Sequence, residues 1–352
     1  MIIAILIGLA VLSVLIIAHE LGHFFTAKMA RVRVEEFGLG FPPRLFGVRR
    51  GETLYSLNAI PFGGFNKLTG EEDPKKPRSL ASKSVGARLL VLSAGSLMNI
   101  LLSLLLLSVA FMVPHNLVTG KVVVQEVATG SPAARVGIEP GDTIISINGR
   151  TINNSAELSR YVQLNLGKET TILIEHDDST TEEVRVMPRW RPPEGQGAIG
   201  VVINTVEPTI VRHHEPFWRA LPLAVKSCIE IFVLYKNGII STVIGTVPLV
   251  MVGPVGIVQI TGEVARAGIS PLLELAALIS LVLGTINLFP IPALDGGRVA
   301  FVLLEWVRRG KRISPKTEGR IHAVGFFLLI AAMLAITFQD IIRIISGESL
   351  IP

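Results

Sequence analysis

The apolar run from Ile2 to Ala18 ends in His19-Glu20-Leu21-Gly22-His23, so two imidazoles and a carboxylate stand where a lipid-soluble helix would otherwise continue. Ionisable groups inside such a run are expensive and are usually there for function. On a helix His19 and His23 project from one face, one turn apart, a spacing that suits two nitrogen ligands for one Zn²⁺. Glu20 falls beside them, placed to reach a metal-bound water rather than the ion. The bland alternatives are a chance match and a polar cluster that ends a membrane helix at its interface.

No third histidine follows at the metzincin spacing, which excludes that class. Several further apolar runs, a hydrophobic fraction of 49% and a mean hydropathy of +0.55 indicate an integral membrane protein. The first run lacks a basic leader and a small-residue cleavage pattern, so it reads as a retained helix reaching about Ala27. The lone cysteine, Cys228, excludes an internal disulfide framework and a Cys-rich zinc site. The net charge of +5 lies in membrane-flanking loops, a topology signal; no motif for nucleic acid is present. Lys28, Arg31 and Arg33 put the N-terminus outside and the histidine motif toward the cytoplasm.

Along the chain the reading is a first transmembrane helix with the zinc motif (1–30), a β-hairpin region with a cytoplasmic loop (31–88) and a second transmembrane helix (89–114). An α/β domain (115–205) and an amphipathic, interfacial region (206–270) follow. A third transmembrane helix (271–307), a cytoplasmic loop (308–320) and a fourth transmembrane helix (321–345) complete it. The stretch 239–260 is apolar but broken by glycines and prolines. A fifth crossing there would put Arg308, Arg309, Lys311, Arg312, Lys316 and Arg320 outside, against the usual bias.

Within the hairpin region, Phe37-Gly38-Leu39-Gly40-Phe41, Thr53 to Leu57 and Pro61 to Phe65 read as short strands with tight turns. Two versions fit: a plain cytoplasmic hairpin, or one that dips toward the metal motif and makes Phe37 and Gly38 substrate-binding residues. The second needs protein or water to satisfy its backbone. In the second span Gly95 reads as a helix-packing residue, while Asn99 is either packed or site-lining. Asn287 through Gly297 is broken by Pro290 and Pro292 and loosened by Gly296 and Gly297. Asp295 lies beside apolar sequence at the depth of the histidines and needs a cation there. A shared zinc meets that need; a salt bridge to Arg298 is the alternative.

From about residue 115 the pattern becomes that of a soluble fold: a strand at Val122 to Val127, a Gly-Asp turn at 141–142, an Asn-Gly turn at 148–149, and further strands at 170–175 and 183–187. Ser155 to Leu164 reads as a helix with a serine cap. This stretch resembles a PDZ domain, and Gly197, Ile199, Gly200 and Val201 resemble its carboxylate-binding loop, here at the domain's end as in circularly permuted bacterial versions. Such a domain takes extended peptides by strand addition. His322 reads as interfacial, and His176, His213 and His214 as solvated.

Taken together these motifs make the chain similar to the bacterial site-2 proteases, the zinc intramembrane metalloproteases with one PDZ domain. The resemblance covers essentially the whole chain and rests on His19-Glu20-Leu21-Gly22-His23 paired with Leu294-Asp295-Gly296. One departure is Ser96, where the second-span motif usually has proline.

The resemblance implies a polytopic α-helical membrane protein of about four transmembrane helices, with a membrane-associated β-hairpin and an inserted extracytoplasmic PDZ (α/β) domain. It implies His19, His23 and Asp295 as zinc ligands, Glu20 as general base, and Asn287 as a residue that holds the substrate backbone. Expected partners are transmembrane protein substrates already trimmed outside, with peptide C-termini at the PDZ domain. The expected location is the bacterial cytoplasmic membrane. The rival class is a non-catalytic PDZ-bearing adaptor with a structural zinc, which has no need of Glu20. A transporter is disfavoured because the two halves show no repeat symmetry.

Overall fold

A computed structural model describes residues 2–71, 73–248 and 251–346. The elements in chain order are α1 (Ile2–Met29), β1 (Val34–Arg50), β2 (Thr53–Leu68), α2 (Val85–Met112), β3 (His115–Val127), α3 (Pro132–Arg135), β4 (Thr143–Ile147), β5 (Arg150–Thr151) and α4 (Ser155–Leu164). There follow β6 (Thr170–Glu175), β7 (Thr181–Val186), β8 (Val201–His213), α5 (Phe217–Val243), α6 (Pro254–Ala267), α7 (Ile269–Asn287), α8 (Asp295–Val307) and α9 (Pro315–Ile345). They form two compact units, Met1–Phe111 with Met251–Pro352, and Met112–Val250.

In the first unit α1, α2, α7 and α9 are long and apolar enough to cross a membrane. A helix satisfies its own backbone groups, which is what lipid demands. Phe327, Leu328, Leu334 and Phe338 are exposed on α9, a surface suited to lipid rather than water. α1 ends where Arg31 turns into the left-handed region, and the Val32 amide closes back onto Ala27 O at 2.8 Å. The apolar stretch 239–260 is divided between the end of α5 and the start of α6, with residues 249 and 250 outside the described ones. α6 packs closely on α1 through glycine: a Cβ at Gly8 would meet Val258 Cα at 2.9 Å, and one at Gly262 would meet Ala4 Cα at 3.1 Å. Asp340 of α9 accepts the amides of Gly253 at 3.0 Å and Gly256 at 2.8 Å, capping the start of α6.

The hairpin is more folded than two plain strands. Residues 36–39 of β1 have partners on both sides: Phe37 is in register with Asn66 and with Tyr55, and Gly38 with Phe65 and with Ser56. Residues 44–50 pair with 53–58, so 36–39 is internal, while Gly64 to Leu68 pair only with 34–39 among the described residues. At the turn, Glu52 binds Arg78 at 2.5 Å and Lys28 at 2.6 Å, tying the hairpin to the end of α1.

The second unit is an antiparallel sheet of order β7-β6-β4-β3-β8, with β5 beside β4. β6 alternates buried and half-buried residues, and Ile172 and Ile174 join Ile144, Ile147 and Leu158 in the core. Asn154, not Ser155, caps α4 by accepting the Glu157 amide at 2.9 Å. Asparagine and serine are near-equal caps, so sequence alone cannot choose between neighbours. β3 begins seven residues before the expected Val122, because its polar start pairs with β8 in a long ribbon that carries no apolar pattern of its own. α5 packs on α4: Asn237 donates to Gln163 O at 2.7 Å, and Arg160 pairs with Glu230 at 3.0 Å.

Candidate metal centre

His19 and His23 lie in the C-terminal half of α1, one turn apart, as the i,i+4 spacing requires. Asp295 is the first residue of α8, 272 positions further on than His23. Its Oδ2 lies 3.1 Å from His19 Nε2 and 3.1 Å from His23 Nε2, and the two Nε2 atoms are 3.2 Å apart. Zinc bonds such atoms at about 2.0–2.2 Å, so tetrahedral ligands stand about 3.3 Å from one another. Two imidazole nitrogens and a carboxylate oxygen in this triangle therefore fit one zinc ion and leave a fourth direction open. Among the described residues this is the one group of three or more His, Cys, Asp or Glu residues gathered closely enough for a metal. Arg298 binds Glu71 at 2.5 Å, so the salt bridge weighed for Asp295 is taken elsewhere.

Outer contacts orient these side chains, as they do in metal sites. His23 Nδ1 lies 2.8 Å from Val91 O; a carbonyl only accepts, so Nδ1 carries the proton and Nε2 presents its lone pair. Asn99, almost wholly buried in α2, places its carboxamide 3.4 Å from His19 Nδ1. With Nδ2 facing the ring, Oδ1 has no partner among the described residues. Amide oxygen and nitrogen are distinguished by their surroundings. Exchanging them gives Oδ1 the Nδ1–H and frees His19 Nε2 for a metal.

The loop before Asp295 is shaped by small residues. Ala293 adopts a left-handed backbone, and its amide donates to His322 Nδ1 at 3.0 Å. His322, expected at an interface, is thus a support for this loop. A Cβ at Gly297 or Gly325 would collide with Ile291 or Pro292, so these glycines let the loop fold over α8 and α9.

A cavity of about 460 Å³ opens on the centre, lined by His19, Glu20, His23, Gly63, Gly64, Phe65, Asn66, Asn99, Asn287 and Asp295 among others. Asn287, the last residue of α7, is therefore at the cavity. Phe37 and Gly38 are not among its lining residues: they occupy the internal strand, with both sides of their backbone in pairs. The hairpin reaches the cavity through 63–66, together with Phe41 and Leu68. The Gly63-Gly64 pair was the available signal for this close approach, since a Cβ at Gly64 would meet Glu20 Cγ at 2.9 Å. Glu20 Oε2 accepts from Asn66 Nδ2 at 2.6 Å. Nothing in the sequence singles out Asn66.

In the second unit, Gly197 to Val201 lead into β8. Ile199 is buried and its carbonyl accepts the Ala133 amide at 3.1 Å, while the Gly200 carbonyl accepts the Ala128 amide at 2.9 Å. Gly200 has a φ of +80°, and Ser131 lies too close to admit a Cβ. β8 is the end strand of the sheet, and the hydroxyl of its Thr205 accepts the Ser155 amide of α4 at 3.0 Å. His176, expected to be solvated, is bound to Asp142 and Glu182.

Residues 7–332 match the family described as Peptidase family M50. A relative in Clostridium perfringens that carries a zinc metalloprotease name is 35% identical over 343 residues, covering 96% of this chain and 98% of its own. One of the same description in Clostridium acetobutylicum is 33% identical over 340 residues, covering 96% and 97%. The zinc metalloprotease RasP of Geobacillus kaustophilus is 27% identical over 420 residues, covering 95% and 96%. Among solved structures, the PDZ domain of an SdrC-like protein from Listeria monocytogenes is 27% identical and covers 24% of this chain and 87% of its own, with a TM-score of 0.21.

Proposed function

The chain belongs to peptidase family M50 and is a zinc metalloendopeptidase, and from that premise we propose that it hydrolyses peptide bonds within membrane-spanning segments of other proteins, with His19, His23 and Asp295 as the zinc ligands and Glu20 as the general base. The observation that carries this reading is the triangle of ligand atoms 3.1–3.2 Å apart at the end of an apolar helix, with Glu20 adjoining it. A structural zinc has no use for that glutamate, and membership in a peptidase family replaces the adaptor alternative.

When bound, zinc supplies a water whose pKa falls from about 15.7 toward roughly 7 and polarises the scissile carbonyl. Glu20 would take a proton from the attacking water and deliver it to the leaving amine. Asn99 and Val91 O hold the two imidazoles in the tautomer that offers Nε2. Asn287, at the cavity, is suited to hold the substrate backbone.

A substrate helix hides its peptide bonds in its own hydrogen bonds and has to unwind. Residues 64–68, open on one side and beside Glu20, suit an unwound peptide that joins as an added strand. This assigns to Gly64 through Asn66 the role first expected of Phe37 and Gly38. The second unit acts as a PDZ-like filter: an extended peptide adds along β8 beside α4, with its carboxylate near Gly197, Ile199, Gly200 and Val201. Lys28, Arg31 and Arg33 after α1, and the basic run 308–320, support a reading with the metal centre toward the cytoplasm and the PDZ-like unit outside a bacterial cytoplasmic membrane. Single-span proteins already shortened on the outer side are the substrates this arrangement suits.

The test is Glu20→Gln in the full chain. It should retain zinc and lose cleavage of a membrane-embedded substrate by about 100-fold or more, the usual weight of a general base. Undiminished cleavage with zinc retained would remove Glu20 from the chemistry.

A further inference from the structure

The base is held from outside its own helix. Asn66 stands in the hairpin segment that borders the cavity, and its Nδ2 donates to Glu20 Oε2 at 2.6 Å and to the Glu20 main-chain carbonyl at 2.7 Å. A carboxamide nitrogen carries two hydrogens, so both bonds exist together. The reverse orientation would set Oδ1 against two acceptors, so the chemistry fixes which way the amide points. Asn66 Oδ1 is buried and without a partner among the described residues, so the amide's hydrogen bonds go to Glu20. Gly64 adds a steric wall: its main chain lies so near Glu20 Cγ that a Cβ there would come within 2.9 Å. Glu20 is thereby fixed at its stem by Gly64 and at its head by Asn66.

We propose that Asn66 is a positioning residue for peptide hydrolysis: by occupying Oε2 it fixes the carboxylate's rotation and makes Oε1 the oxygen that exchanges the proton. This rests on Glu20 being the general base. A free glutamate side chain has three rotatable bonds, and each misaligned rotamer wastes the effective concentration that a held base supplies. Because Asn66 belongs to the segment proposed to receive the unwound substrate, the base is set by the same strand that sets the peptide. Asn66 contributes nothing to the metal triangle, whose three atoms come from other residues.

The experiment compares Asn66→Leu, of similar volume and without donors, with Asn66→Asp, of the same shape and without the amide. Both are made in the full chain, loaded with zinc and given a membrane-embedded single-span substrate. Metal analysis should find one zinc per chain in each, KM should stay within about twofold, and kcat should fall by about 10- to 100-fold, the pattern of an interaction used in the transition state. Asn66→Gln keeps the donor one methylene further out and should recover part of the loss.

Wild-type kcat in Asn66→Leu or Asn66→Asp overturns the proposal, as does a loss that appears in KM or in zinc content, which would make the residue a structural tie. If the leucine variant does not fold, the isosteric aspartate variant carries the test. The outcome separates from the base assignment: full activity in Glu20→Gln refutes the base, whereas an inactive Glu20→Gln beside a fully active Asn66→Leu refutes only the positioning role.

Discussion

Gly95 of α2 lies against the His19 imidazole of α1: a Cβ built at Gly95 would stand 2.6 Å from His19 Nε2 and closer still to His23 Nε2. The glycine does pack helices, as its sequence context suggests, but what it admits is the pair of imidazoles. On the other side of the same contact, a Cβ at Gly22 would meet Met98 Cβ at 2.9 Å. Two glycines thus bring α1 and α2 close enough for Val91 O and Asn99 to reach the histidine rings.

Gly95→Ala should therefore act on the metal rather than on the fold. The added methyl pushes both Nε2 atoms out of the triangle, and zinc affinity should fall by about 10- to 100-fold, the range seen when the support of metal ligands is disturbed. Competition with a chelator measures it. Wild-type affinity would show that the imidazoles relax around the methyl without loss.

Arg88 of α2 binds Glu305 of α8 at 2.6 Å, with both side chains only 10% exposed, and Arg312 adds a bond at 2.9 Å. Glu305→Leu leaves Arg88 buried and unpaired, which costs about 3–5 kcal/mol for a fully buried pair. Since α8 begins at Asp295, the variant should lose thermal stability and zinc affinity together. The double change Arg88→Met, Glu305→Leu should regain most of the stability, because a well-packed apolar pair can replace a buried ion pair. Thermal unfolding in detergent reads both; a single variant as stable as wild type would contradict the argument.

His176 gives the second unit a dependence on pH. Its Nδ1 bonds Asp142 at 2.7 Å and its Nε2 bonds Glu182 at 3.3 Å, and these two carboxylates, Asp142 foremost, raise the imidazole above its ordinary value. A raised value means that the folded state favours the charged ring. That contribution is complete below the unfolded value, about 6.5, and is lost as pH climbs through the folded one. Ring-proton NMR of the full chain should find the titration midpoint above about 6.5, and Asp142→Asn should lower it. A midpoint at or below the ordinary value would remove the coupling.

The helices and the histidine pair were legible because their signals are local. Apolar length and an i,i+4 spacing act within one element and need no knowledge of the rest. α4 was legible over its whole span, Ser155–Leu164, yet its cap fell one residue early, since adjacent Asn154 and Ser155 serve almost equally. The hairpin was legible as strands, but not which strand is internal. Phe37 and Gly38 carry the same glycine-aromatic pattern as Gly64 and Phe65, and only register decides which pair meets solvent, lipid or a peptide.

What the sequence by itself determined is a chain built for lipid, with two imidazoles one turn apart and a carboxylate that needs a cation. Backbone geometry and the cost of charge in hydrocarbon dictate that much wherever the helices go. Only the tertiary structure decided that Asp295, 272 residues beyond His23, comes within 3.1 Å of both histidines, and that Asn66 rather than any neighbour holds Glu20. Those meetings depend on how glycines at helix crossings and the pairing of one short strand set distances between segments that share no local pattern.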